Sequence, residues 1–98
     1  MAYAPSNSKS ADAPAESPEI AERVRRVLKE HGRLGRDAGQ MSAEDDLYEA
    51  GMTSLASVNV MLALEGEFGI EFPDQMLNRS VFASVAAICA AVQELNGV

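Results

Sequence analysis

An all-α fold is predicted by three features of this 98-residue chain. Apolar residues recur at intervals of three and four in separate stretches, which is the period of a helix. Helix start and stop signals bracket those stretches: Ser17-Pro18-Glu19 before the first, Gly69 after the second and Asn96-Gly97 after the last. A chain this short also buries only a modest core, and a compact helical bundle uses that core better than a deep catalytic cavity would.

The first 17 residues contain eleven Ala, Ser or Pro and no hydrophobic period. They have too little to bury to offset the entropy of ordering them, so residues 1–17 read as a disordered tail suited to a tether, and residues 18–98 as the folded domain. Ser17 is placed as an N-cap, Pro18 stands at the first helical position and Glu19 puts an acid in the first turn. Ile20, Val24, Val27 and Leu28 then form one apolar stripe on an amphipathic helix of about 14 residues. His31-Gly32 marks its end, and His31 has no Cys, Ser or carboxylate pattern near it that would make it a ligand or a base.

From Gly32 to Thr53 the periodicity lapses, and a loop this long in a small domain is often functional. Leu34, Met41, Leu47 and Tyr48 are the expected points where it is pinned to the core. The loop is acidic toward its end (Glu44, Asp45, Asp46, Glu49) but lacks the alternating oxygen ligands, central Gly and terminal Glu of a calcium-binding EF-hand. It runs into Gly51-Met52-Thr53-Ser54-Leu55, where Gly51 can take the φ > 0 geometry of a sharp turn. Ser54 falls where a helix leaves its first N–H groups unpaired, a place suited to an N-cap hydroxyl or to a phosphate.

The second helix, about Leu55 to Phe68, carries Leu55, Val58, Val60, Met61, Leu62, Leu64 and Phe68 over more than half of its circumference. That girth predicts a central helix packed on two sides. Its Met and Val content fits both a plain core and a centre that admits an apolar chain. Gly69 ends it, and Ile70-Glu71-Phe72-Pro73 is extended because the residue before a proline is steered away from helix. Asp74 is expected to cap a short third helix near Gln75 to Leu77. A last helix from about Val81 or Phe82 to Leu95 aligns Val85, Ile88, Val92 and Leu95, with Cys89 at the stripe's edge as a small core residue.

Charge and cysteine use bound the function further. The net charge is −7, yet Arg23, Arg25, Arg26, Lys29, Arg33 and Arg36 fall within fourteen positions, while from Asp37 onward ten acids face the single base Arg79. The anionic part repels nucleic acid and anionic lipid and favours basic protein partners. Glu19, Glu22 and Glu30 interleave with the basic cluster, so a salt-bridged helix face is expected there. One cysteine cannot form an internal disulfide, no Cys and His are spaced as a metal site, no apolar run is long enough to span a membrane, and the N-terminus lacks the apolar core of a signal peptide. These features fit a cytoplasmic protein.

From Ile20 to Leu95 the chain resembles an acyl carrier protein. The resemblance rests on Ile-Ala-Glu-Arg-Val-Arg-Arg-Val-Leu in the first helix, Asp46-Leu47-Tyr48-Glu49-Ala50-Gly51 before the serine, and Ser54-Leu55. It continues through Leu64-Glu65-Gly66-Glu67-Phe68, Phe72-Pro73-Asp74 and Phe82-Ala83-Ser84-Val85, so that nearly everything except the tail is covered. It implies a small four-helix bundle of the acyl-carrier type, with a long loop between helices 1 and 2 and a short third helix. It further implies 4′-phosphopantetheine from coenzyme A esterified to Ser54, flanked by Thr53 and Leu55, with acyl or aminoacyl cargo held as a thioester. Such a domain catalyses nothing itself. A phosphopantetheinyl transferase using Mg²⁺ installs the arm, a loading ligase adds cargo, and acyltransferases or synthases receive it from the monomeric carrier. Glu44, Asp45, Asp46, Glu49 and Glu65 are expected to steer a basic partner, with Met52, Val58 and Met61 as its apolar contacts.

Departures from the family pattern narrow that expectation. Thr53 stands where an Asp is usual, Ala56, Asn59 and Gly66 replace acids common on the second helix of fatty-acid carriers, and one extra residue falls between Asp74 and Val85. A specialised pathway is therefore favoured over bulk fatty-acid synthesis. The alternative is an unmodified helical adaptor that uses the same bundle only to bind proteins; a helix-turn-helix nucleic-acid binder is disfavoured by the acidic field.

Overall fold

The computed structural model describes residues 18–96. The expected tail over residues 1–17, including the Ser17 cap, lies outside them. The regular structure of the described residues is all helical, with no strand: α1 (Pro18–His31), α2 (Ser54–Phe68) and α3 (Val85–Leu95) are α-helices, and Ala38–Gln40, Asp74–Met76 and Arg79–Phe82 are 3₁₀ turns. No helix among them is long and apolar enough to cross a membrane.

Each α-helix contributes one apolar stripe to a common core. Val24, Val27 and Leu28 come from α1, Ala56, Val60 and Leu64 from α2, and Val85, Ile88, Cys89 and Val92 from α3. A fully buried side chain of this kind contributes about 1.5–3 kcal/mol relative to leaving it in water. The helix packed on both others is α1, not α2. The expectation that α2 is central fails because its wide apolar girth is not matched by burial: Leu55 is 73% exposed and Leu62 55%. The fully buried stripe is confined to positions 56, 60 and 64, with Met61, Ala63 and Phe68 packed partly buried beside it.

Two other boundaries move. The short third helix is two separate 3₁₀ turns; the first spans Asp74–Met76 after an extended Pro73 that makes no side-chain cap bond, so Asp74 does not cap it. The last helix starts at Val85, later than expected, because Ser84 is its N-cap and accepts a hydrogen bond from Ala87 N–H at 3.1 Å. Asn78 caps the preceding turn in the same way, accepting from Val81 N–H at 3.2 Å. Phe82 at the end of that turn meets Phe72 edge to face, ring centroids 5.3 Å apart, and both rings are buried.

The long loop is held by backbone and side-chain bonds. Arg25 donates to the Ala38 and Met41 carbonyls, each at 2.7 Å, and Met41 and Leu47 are buried, while Leu34 and Tyr48 pack partly buried against the core. Leu47 N–H donates to Ala83 O at 2.7 Å and Ala86 N–H to Ala43 O at 2.9 Å, which ties the loop to the start of α3. Among the described residues the arginines and the lysine of α1 do not pair along their own helix as expected; only His31 approaches Glu30 there, at 3.8 Å. Arg23 instead reaches Glu67 of α2, 2.7 Å to its carboxylate and 2.7 Å to its backbone carbonyl, while Lys29 pairs with Asp37 of the loop.

Because Leu64 is fully buried and Leu62 is exposed on the same helix, the two leucines should respond oppositely to truncation. Leu64→Ala should lower unfolding free energy by about 2–5 kcal/mol in denaturant titration, and Leu62→Ala should change it by no more than about 0.5 kcal/mol. Equal losses would mean that α2 buries both faces.

Candidate functional site

Everything that leads into α2 is a chain of short hydrogen bonds. Asp46 folds the acidic segment back on itself, its carboxylate accepting from Tyr48 N–H at 2.9 Å, an Asx turn. The Leu47 carbonyl then accepts from both Ala50 N–H and Met52 N–H at 3.1 Å. Between them Gly51 takes φ = 117°, a region a side chain rarely enters, and a Cβ there would stand 3.3 Å from Gly35 N. Ala50 is pinned from the other side, its carbonyl accepting from Gly35 N–H at 2.9 Å. The turn therefore delivers residues 53 and 54 at a fixed place.

Thr53 and not Ser54 is the cap of α2. Its φ of −83° and ψ of 169° are extended, and its hydroxyl accepts from Ala56 N–H at 3.0 Å. Ser54 is the first helical residue, exposed, and its hydroxyl has no hydrogen-bond partner among the described residues. The neighbouring hydroxyl is committed: Ser57 donates to the Ser54 carbonyl at 2.7 Å. Thr53 thus does the capping at the position where the resemblance expects an Asp, and Ser54 is left available. At this end of a 15-residue helix the N–H groups of Ser54 and Leu55 have no intrahelical acceptor, and the dipole favours negative charge. An exposed, uncommitted hydroxyl beside free N–H groups fits a phosphodiester.

Ser54 borders a surface groove of about 430 Å³ whose other walls include Tyr48, Val58, Met61, Leu77, Arg79 and Phe82. Val58 and Leu77 are exposed in it, and Met61 is half-buried. Sequence reasoning listed Val58 and Met61 but missed Leu77, Phe82 and Arg79 as neighbours of the serine. For Arg79 a signal existed, since it is the lone base after Arg36. Leu55, expected beside the serine, is indeed adjacent and largely exposed.

The expected partner surface is divided. Glu44, Asp46 and Glu49 are exposed, and Asp45 is half-buried between Arg36, 3.3 Å away, and Ser42 N–H, 2.9 Å away. Glu65 is committed inward, accepting from Phe72 N–H at 2.9 Å. Met52, expected as an apolar contact for a partner, is only 3% exposed. Its N–H bond to Leu47 turns its side chain into the core, so it does not face a partner.

A family model described as a phosphopantetheine attachment site matches residues 19–92. The chain is 48% identical over 65 residues to an aminoacyl carrier protein of Agrobacterium fabrum, covering 66% of this chain and 78% of that protein. It is 43% identical over 60 residues to an acyl carrier protein of Sinorhizobium fredii, covering 57% and 70%. Among solved structures, it superposes with a TM-score of 0.74 and 43% identity on a chain from the crystal structure of an engineered Bradyrhizobium japonicum glycine:[carrier protein] ligase complexed with carrier protein from Agrobacterium tumefaciens and ATP. That match covers 76% of this chain and 97% of the other.

The division of labour between the two residues is measurable. Thr53→Ala should cost about 0.5–2 kcal/mol of stability by loss of the cap, whereas Ser54→Ala should stay within about 0.5 kcal/mol of the parent. Thermal and denaturant melts of the two variants decide it; a Ser54 variant as unstable as the Thr53 one would place the cap on the wrong hydroxyl.

Proposed function

The chain belongs to the acyl carrier protein family, whose members bear covalent 4′-phosphopantetheine, and from that premise we propose that Ser54 is the attachment residue and that the cargo is aminoacyl. The observation that carries the first part is the uncommitted Ser54 hydroxyl at the head of α2, with Thr53 taking the cap and Ser57 bonded to the backbone. The second part is supported by the 48% identity to an aminoacyl carrier protein and by the likeness to a chain from a structure of a glycine:[carrier protein] ligase complexed with a carrier protein.

The residues of the site divide the work. Gly51 and the Leu47 carbonyl place the serine, Thr53 closes the helix without using it, and the free N–H groups of Ser54 and Leu55 favour a phosphodiester on the Ser54 oxygen. A serine hydroxyl is a weak nucleophile, so the base must come from the transferase that installs the arm from coenzyme A. Bound there, the arm supplies the terminal thiol that holds the cargo as a thioester. The partners are then a phosphopantetheinyl transferase, an ATP-using amino-acid ligase and an acceptor enzyme downstream, met by a monomeric carrier in the cytoplasm. Glu44, Asp45, Asp46 and Glu49 steer a basic partner, and Leu55, Val58 and Met61 supply apolar contact beside the serine.

Intact-protein mass spectrometry after co-expression with a transferase tests the assignment. The parent and Ser57→Ala should gain one phosphopantetheine and Ser54→Ala none, while all three remain helical by circular dichroism. An arm on folded Ser54→Ala would move the site elsewhere; an unmodified parent that still binds its partners would make the protein an adaptor.

Charge steering is screened over about 8 Å at physiological salt. Association of the carrier with its ligase should therefore slow as salt rises, with dissociation little changed, in stopped-flow measurement. On-rates flat in salt would assign the encounter to the apolar residues alone.

A further inference from the structure

Arg79 occupies an unusual electrostatic position. It is the sole Lys or Arg after Arg36, in a stretch containing ten acids from Asp37 onward, yet it makes no ion pair with any described residue. Its guanidinium lies over the Tyr48 ring, 3.9 Å from the centroid. Both sides of that stack are fixed from below. Tyr48 is held by its N–H bond to Asp46, and the turn that begins at Arg79 is capped by Asn78 and rooted by buried Phe82. Arg79, Tyr48 and Ser54 border the same groove.

Stacking on an aromatic face engages the plane of a guanidinium and leaves its edge N–H donors free, in the fork that matches two oxygens of a phosphate or carboxylate. A held cation with free donors, in a protein rich in carboxylates, is complementary to an anion that no described residue provides. We propose that Arg79, backed by Tyr48, binds the phosphodiester on Ser54 and thereby directs the arm along the groove between α2 and the Leu77–Phe82 segment. This rests on the assignment of Ser54 as the attachment residue. Arg79 is a positioning residue: its contact biases where the arm lies, and it takes no part in forming or breaking a bond. An exposed contact of this kind is modest, shifting the docked fraction of the arm roughly two- to fivefold.

The test uses the full chain in apo and holo forms, with the arm and its site confirmed by mass spectrometry. In ¹⁵N-labelled protein the Arg79 Nε–H resonance should move between apo and holo while that of Arg33, an exposed arginine outside this groove, stays in place. The ³¹P resonance of the holo protein should differ between the parent and Arg79→Gln, with Arg79→Lys intermediate because an ammonium lacks the planar fork. Rising salt should carry the parent ³¹P signal toward the Arg79→Gln position and leave that of Arg79→Gln unchanged. The extent of modification should be the same in all three proteins. An Arg79 signal identical in apo and holo protein, or a ³¹P signal indifferent to Arg79→Gln, would overturn the proposal and leave the guanidinium for a carboxylate on a protein partner. Were Arg79→Gln to resist modification, the apo-to-holo comparison in the parent alone would decide. An arm found on a residue other than Ser54 would overturn the inference together with the site assignment, and mass spectrometry distinguishes that failure from the first.

Discussion

Leu47 is the residue on which the geometry around the serine depends. Its side chain is fully buried, its N–H bonds to Ala83 at the approach to α3, and its carbonyl receives two N–H groups from the turn that follows. One residue thus joins the core, the last helix and the entrance to α2. A loop of more than twenty residues would otherwise be too costly in entropy to hold a functional group in register. With Leu47 fixed, Gly51 needs only its positive φ to aim Thr53 and Ser54 at the head of the helix.

The basic residues of α1 serve the same end at a distance. Arg25 closes on two loop carbonyls, and Arg23 closes on the far end of α2, where its guanidinium meets Glu67, the Glu67 carbonyl and the Phe68 ring, the last at 4.4 Å from the centroid. A cation near a helix C-terminus opposes the negative end of its dipole. Gly69 completes that end in the left-handed conformation, φ = 65°. Because Arg23 and Arg25 are committed to bonds within the fold, the exposed part of the acidic loop keeps its field, and among the described residues Arg79 is the one cation lining the groove beside the serine.

The outward face of α2 carries Leu55, Val58 and Leu62 where water would be better served by charge. Their exposure is not needed for folding, since positions 56, 60 and 64 already fill the core. Under the proposed carrier function, an apolar face next to Ser54 would give a partner something to cover once the acids had steered it in, a division between encounter and contact that suits short-lived complexes.

Sequence by itself determined the all-helical class, the span of α1, the end of α2 at Gly69 and the family. Those properties follow from local chemistry: a helical period, a cap and a stop each act over a few residues and are written in neighbouring letters. The serine proposed as the attachment residue was marked as a candidate by the order of the landmarks around it. What only the tertiary structure decided was which of several equivalent residues does what. Thr53 and Ser54 are both competent caps, and the path set by Leu47 and Gly51 gives the bond to Thr53. α2 is apolar nearly all round, and only the packing of α1 and α3 selects the face at 56, 60 and 64 to bury. Arg23 has glutamates on its own helix, yet pairs with Glu67, forty-four positions away. Arg79 reads as a stray base until the fold brings Tyr48 beneath it. In each case the competing choices are close in local energy, so long-range burial and hydrogen bonding break the tie.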